Sequence, residues 1–405
     1  MTDELLPRFD PHDQDLDRSP HVIYARYRRH DPVHWGRPFK VGGAGCWYLF
    51  RHEHVVSMLK DRRFRRNSVS NGRPAAVDGF AALSDRLLLS LDPPDHGRLR
   101  SLVAHAFAPS AVQSLRVVAV ETADRLLEKL QAAHCFDVID DYAAPLSMSV
   151  IAALVGLAPD DVDPRLAVWI SQFGGGFDLR KDTAVMEDAS TAAISMLGYF
   201  DNVVATHARS RPGLLNVLIT ARDTGLLKHE ELLSLCVQIV FAGYGTTVAQ
   251  IGNIVADLWT HPEQRAVLQA HPEMLSGAVN ESLRLHGSVQ SAAARKPVED
   301  VMLGGVRIAA GQPVIAFVGS ANRDELVFER PDEFDITRDT RAAVTFGAGM
   351  HYCLGARLAR LKCEVAVDAL LRRLPHLALA ERRPPNRNTN IVLPSLGHLM
   401  VVTAA

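Results

Sequence analysis

One decapeptide, Phe346-Gly347-Ala348-Gly349-Met350-His351-Tyr352-Cys353-Leu354-Gly355, constrains this chain more than any other stretch. Two glycines and a small residue precede a lone cysteine, and an apolar, Arg-bearing run follows at once. That run, Leu354 to Leu371, has apolar residues at helical spacing and predicts a helix. Cys353 then sits where a tight loop feeds a helix N-terminus, whose N–H groups and positive dipole end favour a thiolate over a thiol. A buried structural cysteine after a Gly-rich turn is the plainer reading. Against it stand Gly347, Gly349 and Gly355, which make sense only if something approaches the backbone closely.

The chain has 405 residues, 47% of them apolar, enough for a sizeable core. No repeat, low-complexity linker or Pro/Gly/Ser boundary divides it, so it reads as one domain over 1–405 with a polar N-terminal arm over 1–20. A net charge of −2 gives no sign of a nucleic-acid partner. Cys46, Cys135, Cys236, Cys353 and Cys363 are odd in number and scattered, without a C-x-x-C pair. That suits a reducing cytoplasm and argues against a disulfide framework. No signal pattern opens the chain, and no stretch approaches 18 uninterrupted apolar residues, so neither export nor a membrane is expected.

Taken in order, residues 20–30 predict a helix, Val33–Trp35 and Cys46–Phe50 strands, and His52–Lys60 a short helix. Asn67 to Ala82 lacks periodicity and reads as a functional loop. Asp92-Pro93-Pro94-Asp95 predicts a turn with Asp95 as N-cap, after which His96 and Arg100 share a helix face. From Ser110 to about Arg222 the pattern is helical, broken at Phe173-Gly174-Gly175-Gly176-Phe177 by a connector or a substrate lid. His229 to about Thr260 reads as one helix, roughly 48 Å long at 1.5 Å per residue.

The middle of that helix, Phe241-Ala242-Gly243-Tyr244-Gly245-Thr246-Thr247, holds two glycines that cost about 1 kcal/mol each relative to Ala. Either another helix packs closely there, or a flat cofactor and a diatomic ligand touch the backbone beside the Thr246 hydroxyl. Tyr244 lies about 200° around the helix from Thr246 and faces away. Glu281-Ser282-Leu283-Arg284 sets a carboxylate and a guanidinium three apart on a further helix, a common surface pattern. Short strands and hairpins are expected between Val298 and Val318, and small β-structure in the last thirty residues, which include Pro384, Pro385 and Pro394.

The decapeptide resembles the haem-ligand loop of the cytochromes P-450, Phe-Gly-x-Gly-x-His-x-Cys-x-Gly, at every fixed position. Asp-Pro-Pro-Asp-His-x-x-x-Arg, the Ala-Gly-x-x-Thr-Thr centre of the long helix and Glu-x-x-Arg resemble the same family, over about residues 20 to 400. The resemblance implies a mainly α fold with a minor β part, the cytochrome P-450 fold, its long central helix over the haem. It implies heme b (iron protoporphyrin IX), with Cys353 as axial thiolate and sole protein ligand to the metal. It places His96, Arg100, Arg295 and His351 at the haem propionates, where guanidiniums pair carboxylates bidentately. Ala242, Gly243, Phe346, Gly347 and Gly355 follow as further cofactor contacts, Thr246 as the catalytic hydroxyl, and Glu281, Arg284 and Arg338 as a buried network.

The implied activity is that of a monooxygenase, because a thiolate ligand favours O–O cleavage once dioxygen is bound. Electrons must come from a ferredoxin or flavodoxin with an NAD(P)H-dependent reductase, since no flavin or dinucleotide motif is present. One position departs from the family: Gly245 stands where an acid is usual. The proton then comes from the substrate or another side chain, or the outcome is atypical: oxidative coupling, rearrangement, nitration or peroxide-driven oxidation. A non-catalytic haem-binding or sensing protein is the rival class. By position, Gln238, Phe241, Gly245, Val289, Gln290 and Ser291 line the substrate pocket, with the 67–82 loop and Leu393 to Leu396. Their polar members imply a small-molecule substrate with hydrogen-bonding groups, as in specialised metabolite biosynthesis.

Overall fold

The computed structural model describes residues 6–39, 44–66, 79–180, 182–206, 212–381 and 387–403. Its axis is the helix His229–Thr260, apolar on nearly every face because nearly every face is covered. The helices Ala144–Val155, Leu166–Gly175, Thr183–Thr206, Leu275–His286 and Ala356–Arg373 all pack against it. Val138–Val155 and His229–Thr260 are each long and apolar enough to cross a membrane, yet 61% and 72% of those spans lie buried inside the fold. Their apolarity is used by the core.

The far half of the long helix is tied down by polar side chains. Asp257 takes a 2.6 Å contact from His286 Nδ1 and another of 2.6 Å from the Ser282 hydroxyl, while Gln250 Nε2 donates to Ser282 Oγ at 3.2 Å. Despite its burial, which opposes ionisation, Asp257 is held below its ordinary pKa, chiefly by His286. Trp259 Nε1 closes the end on Leu377 O at 2.6 Å.

Three local expectations change. Asp95 is the first residue of the helix Asp95–Ala104, not its cap; its carboxylate pairs Arg98 at 3.2 Å, and the residue before it makes no side-chain cap. Gly174 and Gly175 continue a helix that ends at Gly175, so the break falls after them. These glycines serve close approach: a Cβ on Gly176 would lie 2.4 Å from Phe80 Cε2. The polar arm is also anchored, since Phe9 is buried among Tyr24, Tyr27, Tyr48, Phe50 and Phe317. Of the 67–82 loop, 67–78 fall outside the described residues, as do Pro384 and Pro385; Gly79–Ser84 is a helix.

The β part is small. Strands β1 (Val33–Gly36), β2 (Cys46–Leu49), β3 (Phe64–Arg65), β5 (Ala292–Pro297) and β8 (Val314–Ala316) form a sheet ordered β1-β2-β8-β5-β3. Its pairs are antiparallel except β2 with β8. A second sheet pairs β4 (Cys135–Asp137) with β10 (Met400–Val402) and β9 (Ala378–Leu379), and β6 (Val301–Leu303) with β7 (Val306–Ile308) make a hairpin. The register of β5 on β8 slips between Ala292 and Arg295, giving β5 an extra residue. Because of that bulge Ala292, Ala293 and Arg295 all reach one cavity.

Glu281 and Arg284 are wholly buried, joined by paired contacts of 2.7 Å, and Arg338 adds a third at 3.0 Å to Glu281. Arg284 also donates to Asn322 O at 2.8 Å and Pro331 O at 2.7 Å. The network thus fastens the Leu275–His286 helix to the segment that leads into the cysteine loop. Glu281→Gln strands two guanidiniums and is expected to remove about 3–5 kcal/mol of stability, read as a fall in the urea midpoint at unchanged slope.

Candidate active site

The cysteine loop is shaped by two left-handed glycines, Gly347 at φ 70° and Gly349 at φ 68°. A Cβ on Gly349 would lie 2.6 Å from Leu59 O, so the loop seats directly on the end of the His52–Lys60 helix. Cys353 N–H donates to Phe346 O at 2.9 Å and closes the loop, while Arg360 lies 4.4 Å over the Phe346 ring. The helix begins at Ala356, slightly later than its apolar run suggests. Gly347, Cys353 and Gly355 face a cavity of about 410 Å³, and no protein atom crowds the Cβ positions of Gly347 and Gly355.

The expectation of a preformed thiolate is corrected. Burial pushes the Cys353 thiol up from its ordinary pKa, outweighing the Gly355 N–H and the Arg100 and Arg360 charges that pull it down. The protein's own dipoles do not suffice, and a metal cation on sulfur would reverse the balance.

A second wall of the cavity collects basic groups: His96 and Arg100 from the Asp95–Ala104 helix, Arg295 from β5, His351 from the loop and Arg66 after β3. The His96 and His351 rings meet edge to face at 4.5 Å. Arg295 donates from one nitrogen to Leu59 O at 3.1 Å, and Arg100 to Tyr352 O at 2.9 Å. His96 Nε2, His351 Nε2 and Arg295 Nε are buried with no hydrogen-bond partner. Burial, then the neighbouring Arg295 charge, drives His351 down to about 3; burial brings Arg66 and Arg295 down to about 10. Such a set is poised for anionic oxygen acceptors.

The third wall is the long helix, through Gln238, Phe241, Ala242, Gly243, Thr246 and Thr247. The Thr246 hydroxyl donates back to Ala242 O at 2.7 Å. Phe241 stacks on Phe177 at 5.3 Å, and both rings close over the cavity. Tyr244 is buried in the core.

Val289 and Ser291 line the cavity as expected, whereas Gly245 and Gln290 do not. Gly245 is turned from it, and a Cβ there would meet only Ile170, at 3.8 Å. Gln290 sits behind the wall, where its amide nitrogen donates to Gly287 O at 2.6 Å and its backbone C=O accepts from Gly319 N–H. Leu393 contributes but Leu396 is core. Gln238 Oε1 accepts the Leu88 N–H, leaving its NH2 end for a ligand. The sequence reading passed over Arg66, Gln250, Ser288 and Lys362, all on the cavity wall, while Phe177, from the stretch read as a connector or a substrate lid, also lines it. Only Lys362 had a signal, a lysine on an otherwise apolar helix face.

A cysteine-bearing loop, a basic wall and a glycine-bearing stretch of helix thus surround one mainly apolar cavity. The Cytochrome P450 family model matches residues 199–402. The biotin biosynthesis cytochrome P450 of Bacillus subtilis (strain 168) is 33% identical over 90% of this chain and 91% of its own length. The cytochrome P450 monooxygenase PikC of Streptomyces venezuelae is 37% identical over 90% of this chain and 86% of its own. The solved structure of P450BioI with a hexadec-9Z-enoic acid ligated acyl carrier protein superposes with a TM-score of 0.89 at 32% identity, covering 96% of this chain and all of that one. The chain belongs to the cytochrome P450 family. It is an oxidoreductase, a monooxygenase that activates dioxygen to oxidise a small organic molecule.

Because Gly245 lies within a helix and a Cβ there would make only an ordinary contact with Ile170 at 3.8 Å, Gly245→Ala is expected to raise the free energy of unfolding by about 0.4–1 kcal/mol. Denaturant titration checks this, and a loss of stability would show that the backbone there needs glycine.

Proposed function

We propose that the cavity holds heme b, with Cys353 Sγ as the protein ligand to iron, in one catalytic domain spanning 1–405. The observation that carries this reading is the three buried nitrogens without a hydrogen-bond partner, on His96, His351 and Arg295, set around the same cavity as Cys353. A group with two carboxylates satisfies them, and its metal satisfies the sulfur. The uncrowded Cβ positions of Gly347 and Gly355 leave room for a flat macrocycle. When bound, thiolate-ligated iron supplies the chemistry of dioxygen activation.

The chain's own residues bind, orient and exclude water. Arg100 and Arg295 neutralise the carboxylates with charge-assisted hydrogen bonds. Phe177 and Phe241 shed water from the space above the long helix, where charges interact more strongly once desolvated. Thr246 offers a hydroxyl whose back-bond to Ala242 O can be exchanged for one to a ligand. The Gln238 amide, Ser288, Ser291 and Thr247 supply a few polar contacts in an otherwise apolar lining, which suits a largely apolar metabolite with one or two hydrogen-bonding groups. Several relatives carry names from specialised metabolism, such as mycinamicin IV hydroxylase/epoxidase and nocardicin C N-oxygenase. The reaction belongs in such a pathway in the cytoplasm, with electrons from NAD(P)H through a reductase and a ferredoxin or flavodoxin.

A metabolite screen read by the haem spin-state change, followed by NADPH-driven turnover with a ferredoxin and its reductase, tests this function. Oxidised product from a spin-state binder is expected, and binders without any oxidised product would contradict it. Arg295→Leu is expected to lower haem retention severalfold while leaving helix content unchanged by circular dichroism; wild-type haem content would remove Arg295 from the site.

A further inference from the structure

Monooxygenation consumes two protons with each dioxygen, RH + O2 + 2 e− + 2 H+ giving ROH + H2O, and the electrons come from NAD(P)H through the redox partner. Gly245 carries no acid and is turned from the cavity, so the long helix supplies no titratable side chain to that space. The titratable groups that reach it are Arg66, His96, Arg100, Arg295, His351, Tyr352, Cys353 and Lys362. Five of these, the three arginines and two histidines, form the single electrostatic cluster proposed to face the carboxylates. Lys362 stands apart from them.

Lys362 leaves the Ala356–Arg373 helix on the face that packs against the long helix, and only 1% of it is exposed. Its Nζ donates to Gly243 O, one turn before Thr247, and to Ser147 Oγ at 3.0 Å. Thr247 Oγ1 donates to the same carbonyl at 3.1 Å. The amine therefore spends two N–H bonds on protein acceptors, and its third tetrahedral position has no protein partner among the described residues. That position carries a proton in the ammonium and a lone pair in the amine, and neither form disturbs the other two bonds.

We propose that Lys362 holds and releases a proton for the oxygen chemistry in this cavity, taking the place of the acid missing at Gly245. In the transfer an N–H bond breaks, its electron pair stays on nitrogen, and the proton passes to a cavity water or directly to the oxygen being reduced. The neutral amine then regains a proton from water. The inference rests on the monooxygenase reading above.

The surroundings favour easy release. Burial brings Lys362 down to about 7, with Cys363 the sole opposing influence. The Ala144–Val155 helix has no titratable side chain; on the long helix the titratable residues nearest Gly243 in sequence are Tyr244 and Cys236, both pushed up by burial, with His229, Glu230, Glu231 and Asp257 toward its two ends. On its own helix Cys363 is pushed up to about 12 and Glu364 is half-buried. No carboxylate is bonded to the ammonium, whose hydrogen bonds go to neutral oxygens.

The experiment uses the haem-loaded full chain. With 13Cε-labelled lysine, the seven lysines are titrated by NMR, and NADPH consumption with ferredoxin, reductase and dioxygen alone is followed against pH. One lysine signal should titrate near pH 7 and vanish in Lys362→Met. NADPH consumption should show a step at that same midpoint, lost in both Lys362→Met and Lys362→Gln. Absence of any lysine titrating below pH 9 would overturn the proposal, even if neither variant folds, because the wild type alone decides it. A pH step that survives in Lys362→Gln would also overturn it, reducing Lys362 to a hydrogen-bonding strut between helices. Wild-type protein that binds no haem or consumes no NADPH fails earlier and refutes the underlying reading instead.

Discussion

Leaving a buried polar group without a partner costs about 1–3 kcal/mol, and three such nitrogens, His96 Nε2, His351 Nε2 and Arg295 Nε, surround one cavity with Cys353. A fold tolerates that expense where a ligand removes it on binding. The surrounding architecture can be understood as the means of holding these groups apart from protein acceptors. The β5 bulge turns Arg295 inward, the left-handed Gly347 and Gly349 bring His351 opposite His96, and the Glu281–Arg284–Arg338 network pins the segment that feeds the loop. Stability stored in the frame is what allows the cavity to be unsatisfied.

The electrostatics run the same way. Burial, foremost, raises the thiol of Cys353 and disfavours the charged forms of His96, His351, Arg66, Arg295 and Lys362, with neighbouring arginine charges adding to it at His96, His351 and Arg66. Each shift moves a group away from its charged state, and a metal on sulfur with two carboxylates beside the arginines would reverse most of them. Lys362 lies outside that exchange, bonded to the long helix, and its proton stays available.

Much of this was legible in the residues. The apolar pattern placed the long helix from His229 to about Thr260, and it runs His229–Thr260, because a helix covered on most sides is mostly apolar. The spacing Glu281-x-x-Arg284 and the downstream Arg338 pointed to the network, though only family resemblance told a buried pair from a surface one. Direction was harder to read than position. Gly245 and Gln290 sit at expected places in the chain, but helix phase and a loop hydrogen bond turn them from the cavity. The run Gly174-Gly175-Gly176 read as a connector or lid, whereas its small size accommodates Val185 beside Gly175 and Phe80 against Gly176. Lys362 was visible as a charge among Leu358, Leu361, Val365 and Ala366, all buried. What it bonds to, on two helices 119 and 215 residues away in sequence, no local pattern reveals.

The account turns on sulfur ligation by Cys353, and the absorption spectrum of the reduced, CO-bound protein tests it most directly. The wild type should show the strongly red-shifted Soret band of a thiolate-ligated haem, and Cys353→His should lose it. A wild-type spectrum matching that of a His-ligated haem would contradict the account.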